Sequence, residues 1–587
     1  MTGCRRWCLL KTGRVCMVSV MTNNAGTYPS SAALAELAEE YFQTFLATHP
    51  LFAASLGFPG HDNEVGDPSR EAERQEAAAL QRLERRLAQI DACALNRDDR
   101  LTRSIMELRL RHEQGSLAAG MDEVSVSASV AGDLSMMLML VPQASLTTPE
   151  KAEAYLQRLT ALGRYFDALR RRYLQAKADG RVPIASGVRQ AIQQLDTYLA
   201  ADVRVDPLLR PTPPDGVDKD QWRGRAERIL LDVVRPALVR LRRTWDENLL
   251  PVGRDDSHVG LCHVPGGLEG YRALVRLYTT TELSPDKIHW IGLEQVQRLR
   301  EEIRDRGRDA LGIGDTAEVL RHLRDDPSLR FESAEQIIDY ANAAYQRATS
   351  QLPGWFRPYP VPECEIRPMD QHQAKAGSPG YYLWPSADGT RKGAFWINIH
   401  EPTQRPRATH EVMTFHETVP GHHLQATVGA DSALPDFRRY RRSSAHAEGW
   451  GLYVEQLADE MGLYSSSLSR LGMLAEASWR ACRLVIDTGL HHFGWSRAQA
   501  VTYLRDNTAQ PEITVEAEID RYIAMPAQAL GYMIGQIRMQ DMRRRAEQHF
   551  GRRFNIAEFH HRVIAEGSMP LDVLDEVIAD WLSENSS

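Results

Sequence analysis

From Leu34 onward the apolar positions recur mainly every three or four residues, the spacing of one face of an α-helix. Leu34, Leu37, Tyr41 and Phe45 set the first such face. Residues 69–92, rich in Glu, Arg, Ala and Leu, predict a long helix. Thr148 supplies an N-cap and Pro149 suits a first turn, so a helix is expected from there to about Ala178, just before Gly180. Four prolines between Pro207 and Gly216 predict a loop. Lys219 to Asn248 reads as another long helix, kinked at Pro236. Tyr271 to Thr280 is helical, Ser284-Pro285 caps a further helix, and Ala317 and Ser333 open two more.

The period changes between Pro353 and Asn398. Prolines, aromatics and glycines replace the helical spacing there, and Gly393 to Ile399 alternates as a strand does. The pattern therefore predicts a mostly α, large multi-helix fold with a small β element beside the helix that follows it. No internal repeat or low-complexity segment interrupts it. Residues 1–30 lack periodicity and are expected to form a disordered extension. Their one apolar run, Trp7 to Leu10, is cut short by Lys11 and Arg14 and is too brief for a signal-peptide core. Met17 or Met21 is a candidate translation start. Glycine and proline cluster from Pro251 to Gly267, which separates an N-terminal helical region, 31–250, from a catalytic region, 251–587.

Composition narrows the classes. The chain has 587 residues, 43% hydrophobic and 25% charged, as in soluble globular proteins. A net charge of -8 gives no general attraction to nucleic acid. No apolar stretch approaches the ~18 residues of a membrane span, so no membrane partner is expected. Seven cysteines are scattered without the spacing of a thiolate metal site, which predicts reduced thiols and a cytoplasmic location. The arginine runs 170–172, 438–442 and 543–545 read as solvated helix faces, any one of which offers a guanidinium for a substrate carboxylate.

The candidate chemistry lies in Met413 to Gln425, where His416, Glu417, His422 and His423 fall within eight residues. Zinc hydrolases place two histidines one helical turn apart with a glutamate beside the first. Here Pro420 stands where the second histidine would be. On an unbroken helix His422 lies about 600° round from His416, and His423 shares its face but sits roughly 10 Å along the axis. Pro420 removes a backbone donor and Gly421 accepts unusual dihedrals, so a bulged or broken turn is expected to bring His422 to His416 and leave His423 aside. Ala445 to Glu455 supplies a third ligand in Glu448. Glu455, seven residues on, shares its helical face and is a candidate acceptor for a ligand histidine. Glu417 is then the general base. Pro526 is placed in the first turn of a helix, which puts Gln528 and Tyr532 one turn apart. Tyr532 is the candidate oxyanion donor and Gln528 a candidate substrate contact. Asn398 and the strand before it are candidates for pairing with extended substrate at a sheet edge.

These segments, H-E-T-V-P-G-H-H-L-Q and A-E-G-W-G-L-Y, resemble a bacterial family named only as a domain of unknown function (number 885). Gly380-Tyr381-Tyr382, Gly393 to Asn398, Arg521-Tyr522 and Pro526 to Tyr532 extend the resemblance over most of the chain. Members look like helical zinc metallopeptidases of the Glu-ligand type with an H-E-x-x-P-G-H motif. The resemblance implies one zinc ion on His416, His422 and Glu448, and short peptide or amide substrates. The expectation is a zinc-dependent hydrolase of peptide or amide bonds. The competing readings are a hydrolase of a specialised non-peptide amide, an inactive binding protein on the same fold, and an iron enzyme with a two-His-one-carboxylate set.

Overall fold

Helices begin where the short polar side chains can cap them. Thr148 Oγ1 accepts from the Lys151 N–H at the start of Pro149–Ala178, and Ser284 caps Pro285–Leu311 through Lys287. Ser69, Asp315 and Ser333 do the same for Arg70–Ala88, Thr316–Asp325 and Ala334–Gln351. The computed structural model describes residues 6–9, 15–18, 29–129, 132–369, 379–387, 389, 391–430 and 433–584. Over these residues the protein is mostly helical, with one three-stranded sheet. Within the N-terminal stretch expected to be disordered, β1 (Arg6–Leu9) and β2 (Val15–Val18) pair antiparallel. Met21 lies outside the described residues.

The Lys219 helix continues to Leu249, but not as a uniform α-helix. Residues Leu230–Val234 form a wider π turn immediately before Arg235-Pro236. Pro236 has no N–H to give and its ring excludes the carbonyl four residues back; the extra residue in the π turn absorbs that clash. Cys93 is disulfide-bonded, whereas Cys262, Cys364 and Cys482 are free, so uniformly reduced thiols do not describe this chain.

Among the described residues, buried apolar side chains form three clusters. One joins the first helices, through residues such as Tyr41, Phe42 and Ile105, to the C-terminal half. A second is built from residues 126–249, chiefly the Pro149–Ala178 helix against the kinked helix, with Leu51 and Val65 added. The third is small and packs the sheet against the motif: Tyr382, Phe395, Ile397 and Ala426 belong to it. In that sheet β5 (Ala394–Ile397) is central. It pairs parallel with β3 (Glu365–Pro368) and antiparallel with β4 (Gly380–Leu383), with Glu365 and Leu383 both opposite Ala394. The alternation that predicts a strand at 393–399 is present, but the expected sheet edge is not. Phe395 and Ile397 are fully buried, and both sides of β5 already have partners.

Within residues 251–587, helices Ser444–Glu460 and Gly531–Phe550 cross closely. A Cβ on Gly535 would stand 2.6 Å from Gly449 Cα, and one on Gly449 would stand 2.5 Å from Gly535 Cα. Gly535→Ala is therefore expected to cost about 1–3 kcal/mol through overpacking. Gly224→Ala, with nothing within 4 Å of its Cβ, should be neutral or stabilising by roughly 0.5–1 kcal/mol. Urea midpoints of both variants check this, and equal midpoints would refute the crossing as a tight contact.

Candidate metal centre

The motif does not run as one helix. His410–Glu417 ends at the glutamate, residues 418–421 turn, and His422–Val428 begins a second helix. The Val419–Pro420 peptide is cis. Thr418 closes the first helix by donating its N–H and its hydroxyl to Thr414 O, and Trp450 Nε1 donates to Pro420 O at 3.0 Å. Gly421 is required: a Cβ there would lie 2.5 Å from His416 C. The break removes the axial separation that a continuous helix imposes, and the rings of His416 and His422 meet with centroids 4.7 Å apart and planes at 87°.

Glu448 completes the group. Its Oε2 is 3.5 Å from His416 Nε2 and 3.6 Å from His422 Nε2. Ligand atoms of His416, His422 and Glu448 all lie within 4.8 Å of one another. Both histidine side chains are 8% exposed and Glu448 is 24% exposed, so the group opens to solvent on the carboxylate side. Glu455 Oε1 is 2.8 Å from His416 Nδ1 and is itself buried. This contact fixes the ring with Nδ1 as donor and leaves Nε2 facing Glu448. Gly451, on the same helix face between the two acids, makes room: a Cβ there would be 2.6 Å from His416 Nε2.

Electrostatics follow from this crowding. Burial alone would lower His416, but hydrogen bonding to Glu448 and Glu455, with the charge of Glu417, pushes it up to about 10. Burial would raise Glu448, but the two imidazoles hold it well below the usual carboxylate range. The acids favour a positive charge between the rings. Two imidazole nitrogens and one carboxylate, one ring already oriented by an acid, are a donor set that suits zinc. His422 Nδ1 is buried and has no hydrogen-bond partner.

His423 is committed elsewhere. Its Nδ1 is 2.9 Å from Tyr382 Oη and its Nε2 is 2.7 Å from Pro362 O. The backbone carbonyl can only accept, so Nε2 donates and Nδ1 takes the tyrosine proton. Burial lowers its pKa. Glu417, at the end of the first helix, is half-buried and adjoins His416. Tyr532 starts the Gly531–Phe550 helix, and Gln528 lies in a short 3-10 turn ahead of it. Burial and then the Glu448 carboxylate raise the Tyr532 phenol, which therefore stays protonated at neutral pH. Gln528 hydrogen-bonds Tyr532 and accepts from Arg521 Nη1 at 2.7 Å.

Two expectations are corrected here. Pro526 does not open a helix; it precedes Ala527, which is left-handed with φ 68°, and the buried Asp487 holds that turn by accepting the Ala527 N–H at 3.0 Å. Asn398 is fully buried, and its Oδ1 accepts from the His400 N–H at 3.0 Å, which orders the loop after β5. Sequence reasoning missed Gly451, Trp450 and Asp487. The two glycines of A-E-G-W-G-L-Y were the visible signal, since glycine inside a helix marks a close approach.

No curated protein matches the chain. Among solved structures it is similar to a candidate lipoprotein from Colwellia psychrerythraea, with TM-score 0.89 and 26% identity over 95% of this chain and 100% of that one. It is also similar to a candidate lipoprotein of unknown function from Shewanella oneidensis, with TM-score 0.73 and 15% identity over 93% of this chain and 99% of that one. A family model described as bacterial protein of unknown function (DUF885) matches residues 50–578, and the chain belongs to that family.

Proposed function

We propose that this protein is a metal-dependent hydrolase of peptide or amide bonds, with one zinc ion held by His416, His422 and Glu448 on a metallopeptidase-like helical fold. The observation that carries the reading is the meeting of His416 Nε2, His422 Nε2 and Glu448 Oε2 beside Glu417, with Glu455 orienting the first ring. Zinc on such a set supplies an acidified water and polarises a carbonyl. Glu417 is placed next to that set in sequence and is not one of its members, so it is free to take the proton of the attacking water and return it to the leaving amine. Tyr532, kept protonated, donates to the carbonyl oxygen as charge develops there. Gln528 orients that phenol.

An adjacent glutamate of this kind is explained by hydrolysis and has no evident use in an iron redox centre. Both Glu417 and Glu448 being present also argues against an inactive binding protein. Short peptides or amides are the proposed substrates, because the histidine rings are largely covered and open mainly past Glu448. The lipoprotein description of the Colwellia psychrerythraea relative favours an envelope location over the cytoplasmic one expected from the scattered cysteines. Cell fractionation decides between them.

Metal analysis should find about one zinc per protein molecule, and chelation should abolish hydrolysis of a short-peptide library. His422→Ala should empty the site, whereas His423→Ala should keep zinc, since both nitrogens of His423 are engaged elsewhere. The reverse pattern of zinc contents would reassign the ligand.

Glu417→Gln should retain zinc and lower kcat by about 10²–10⁴ or more. Near-normal turnover in that variant would remove Glu417 from the reaction. Cleavage of folded proteins in surface loops as readily as short peptides would refute the substrate size.

A further inference from the structure

Beside the metal centre lies a second feature, a cleft with about 580 Å³ of empty space, part of it open solvent. Gln425 of the second motif helix and Ala447, next to Glu448, form one wall; Trp384, Tyr440, Arg442 and Ser568 contribute the others. Trp384 is shared with the metal centre, its ring centroid 5.9 Å from that of His422. The Arg442 guanidinium lies over the same indole, 3.8 Å from the ring centroid.

Arg442 differs from its neighbours in the basic run 438–442. Arg439 pairs with Asp436 at 3.0 Å, Arg441 with Glu113 at 2.9 Å and Arg438 with Glu566 at 3.4 Å. Arg483 and Arg521, on the Tyr532 side, pair with Glu518. Among the described residues, Arg442 has neither an ion pair nor a hydrogen bond. Burial lowers it to about 10, with Tyr382 and Glu448 acting the other way, so it is charged at neutral pH. Gln425 Oε1 is buried and also lacks a partner, although the residue is only 6% exposed. A flat guanidinium held on an indole, with its donors unmatched, is built for a planar carboxylate, and a nearby amide oxygen suits a substrate N–H.

We propose that this cleft receives a carboxylate of the substrate through Arg442, so that the protein acts on peptides or amides bearing an acidic group close to the scissile bond. The proposal rests on the hydrolase reading for its substrate class. The carboxylate is that of a free peptide terminus or of an acidic side group, and the same Arg442 chemistry serves both.

The test uses four blocked dipeptides with the full-length protein: acetyl-Ala-Glu-amide, acetyl-Ala-Gln-amide, acetyl-Ala-Ala with a free C-terminus, and acetyl-Ala-Ala-amide. Binding is measured by calorimetry on chelator-treated protein, where a carboxylate has no metal to bind, and turnover of matched longer peptides is measured on the zinc-loaded protein. At least one carboxylate probe should bind about 10- to 100-fold more tightly than its amide twin. Arg442→Gln should erase that ratio and raise KM with little change in kcat and zinc content, and Arg442→Lys should restore part of it. The first pair reports the glutamate carboxylate and the second a terminal one. Equal or undetectable binding of all four probes to the unmodified protein overturns the proposal, as does an undiminished ratio in Arg442→Gln. Should Arg442→Gln not fold, Arg442→Lys carries the test, and an unaltered ratio there overturns the bidentate contact. Carboxylate-selective binding without any turnover leaves the cleft assigned and refutes hydrolysis instead.

Discussion

How near the Ser444–Glu460 helix can come to its neighbours decides the rest of the site. It is approached closely on two faces. Gly451 lets the His416 ring lie against the helix between Glu448 and Glu455, so one imidazole meets an acid at each nitrogen. Gly449 lets the Gly531–Phe550 helix cross against the opposite side, which brings Tyr532 into the field of Glu448. A side chain at either glycine would push one partner away by more than a hydrogen bond tolerates. The seven-residue spacing of the two acids matters for the same reason: it returns to one face after about two turns and leaves a gap into which a five-membered ring fits.

Much of this was legible in the sequence because it is local. Caps at Thr148, Ser284 and Ser333 act within their own first turn, so short polar residues ahead of apolar periodicity reveal them. The break at Pro420-Gly421 follows from the same residues that spell the motif, and Glu448 and Glu455 declare a common face by spacing alone. What could not be read depends on partners distant along the sequence. The place of β5 between two strands is set by segments on either side of it that carry weak signals. Pro526 fits a helix start in isolation, but Asp487, some forty residues earlier, favours the left-handed turn at Ala527. The basic run 438–442 looks uniform in sequence, and only tertiary contacts distinguish Arg442 from the arginines beside it.

The acids around His416 also constrain how the region is organised. Three carboxylates within reach of one buried ring repel one another, and each must be offset by a donor or a cation. Two imidazoles offset Glu448, and a ring nitrogen together with the charge of Arg480 offsets Glu455, whose Oε2 is buried without a hydrogen-bond partner. Arg480 and Arg442 add positive charge on the Glu455 and Glu448 sides, so the acids and cations of this region are interleaved around the two rings.

The central position of β5 has a consequence for how this protein would read its substrate. A strand with an unpaired edge recognises backbone, which is the same in every peptide, and so accepts many sequences. β5 spends its backbone groups on β3 and β4, so any strand pairing with substrate would fall to the outer edges of those two four-residue strands. On the proposed hydrolase reading such short edges offer few backbone bonds, and discrimination would rest more on side groups and peptide termini, whose variety is large. On that reading the protein would behave less like a scavenger of peptides in general than like a reader of a few particular ones.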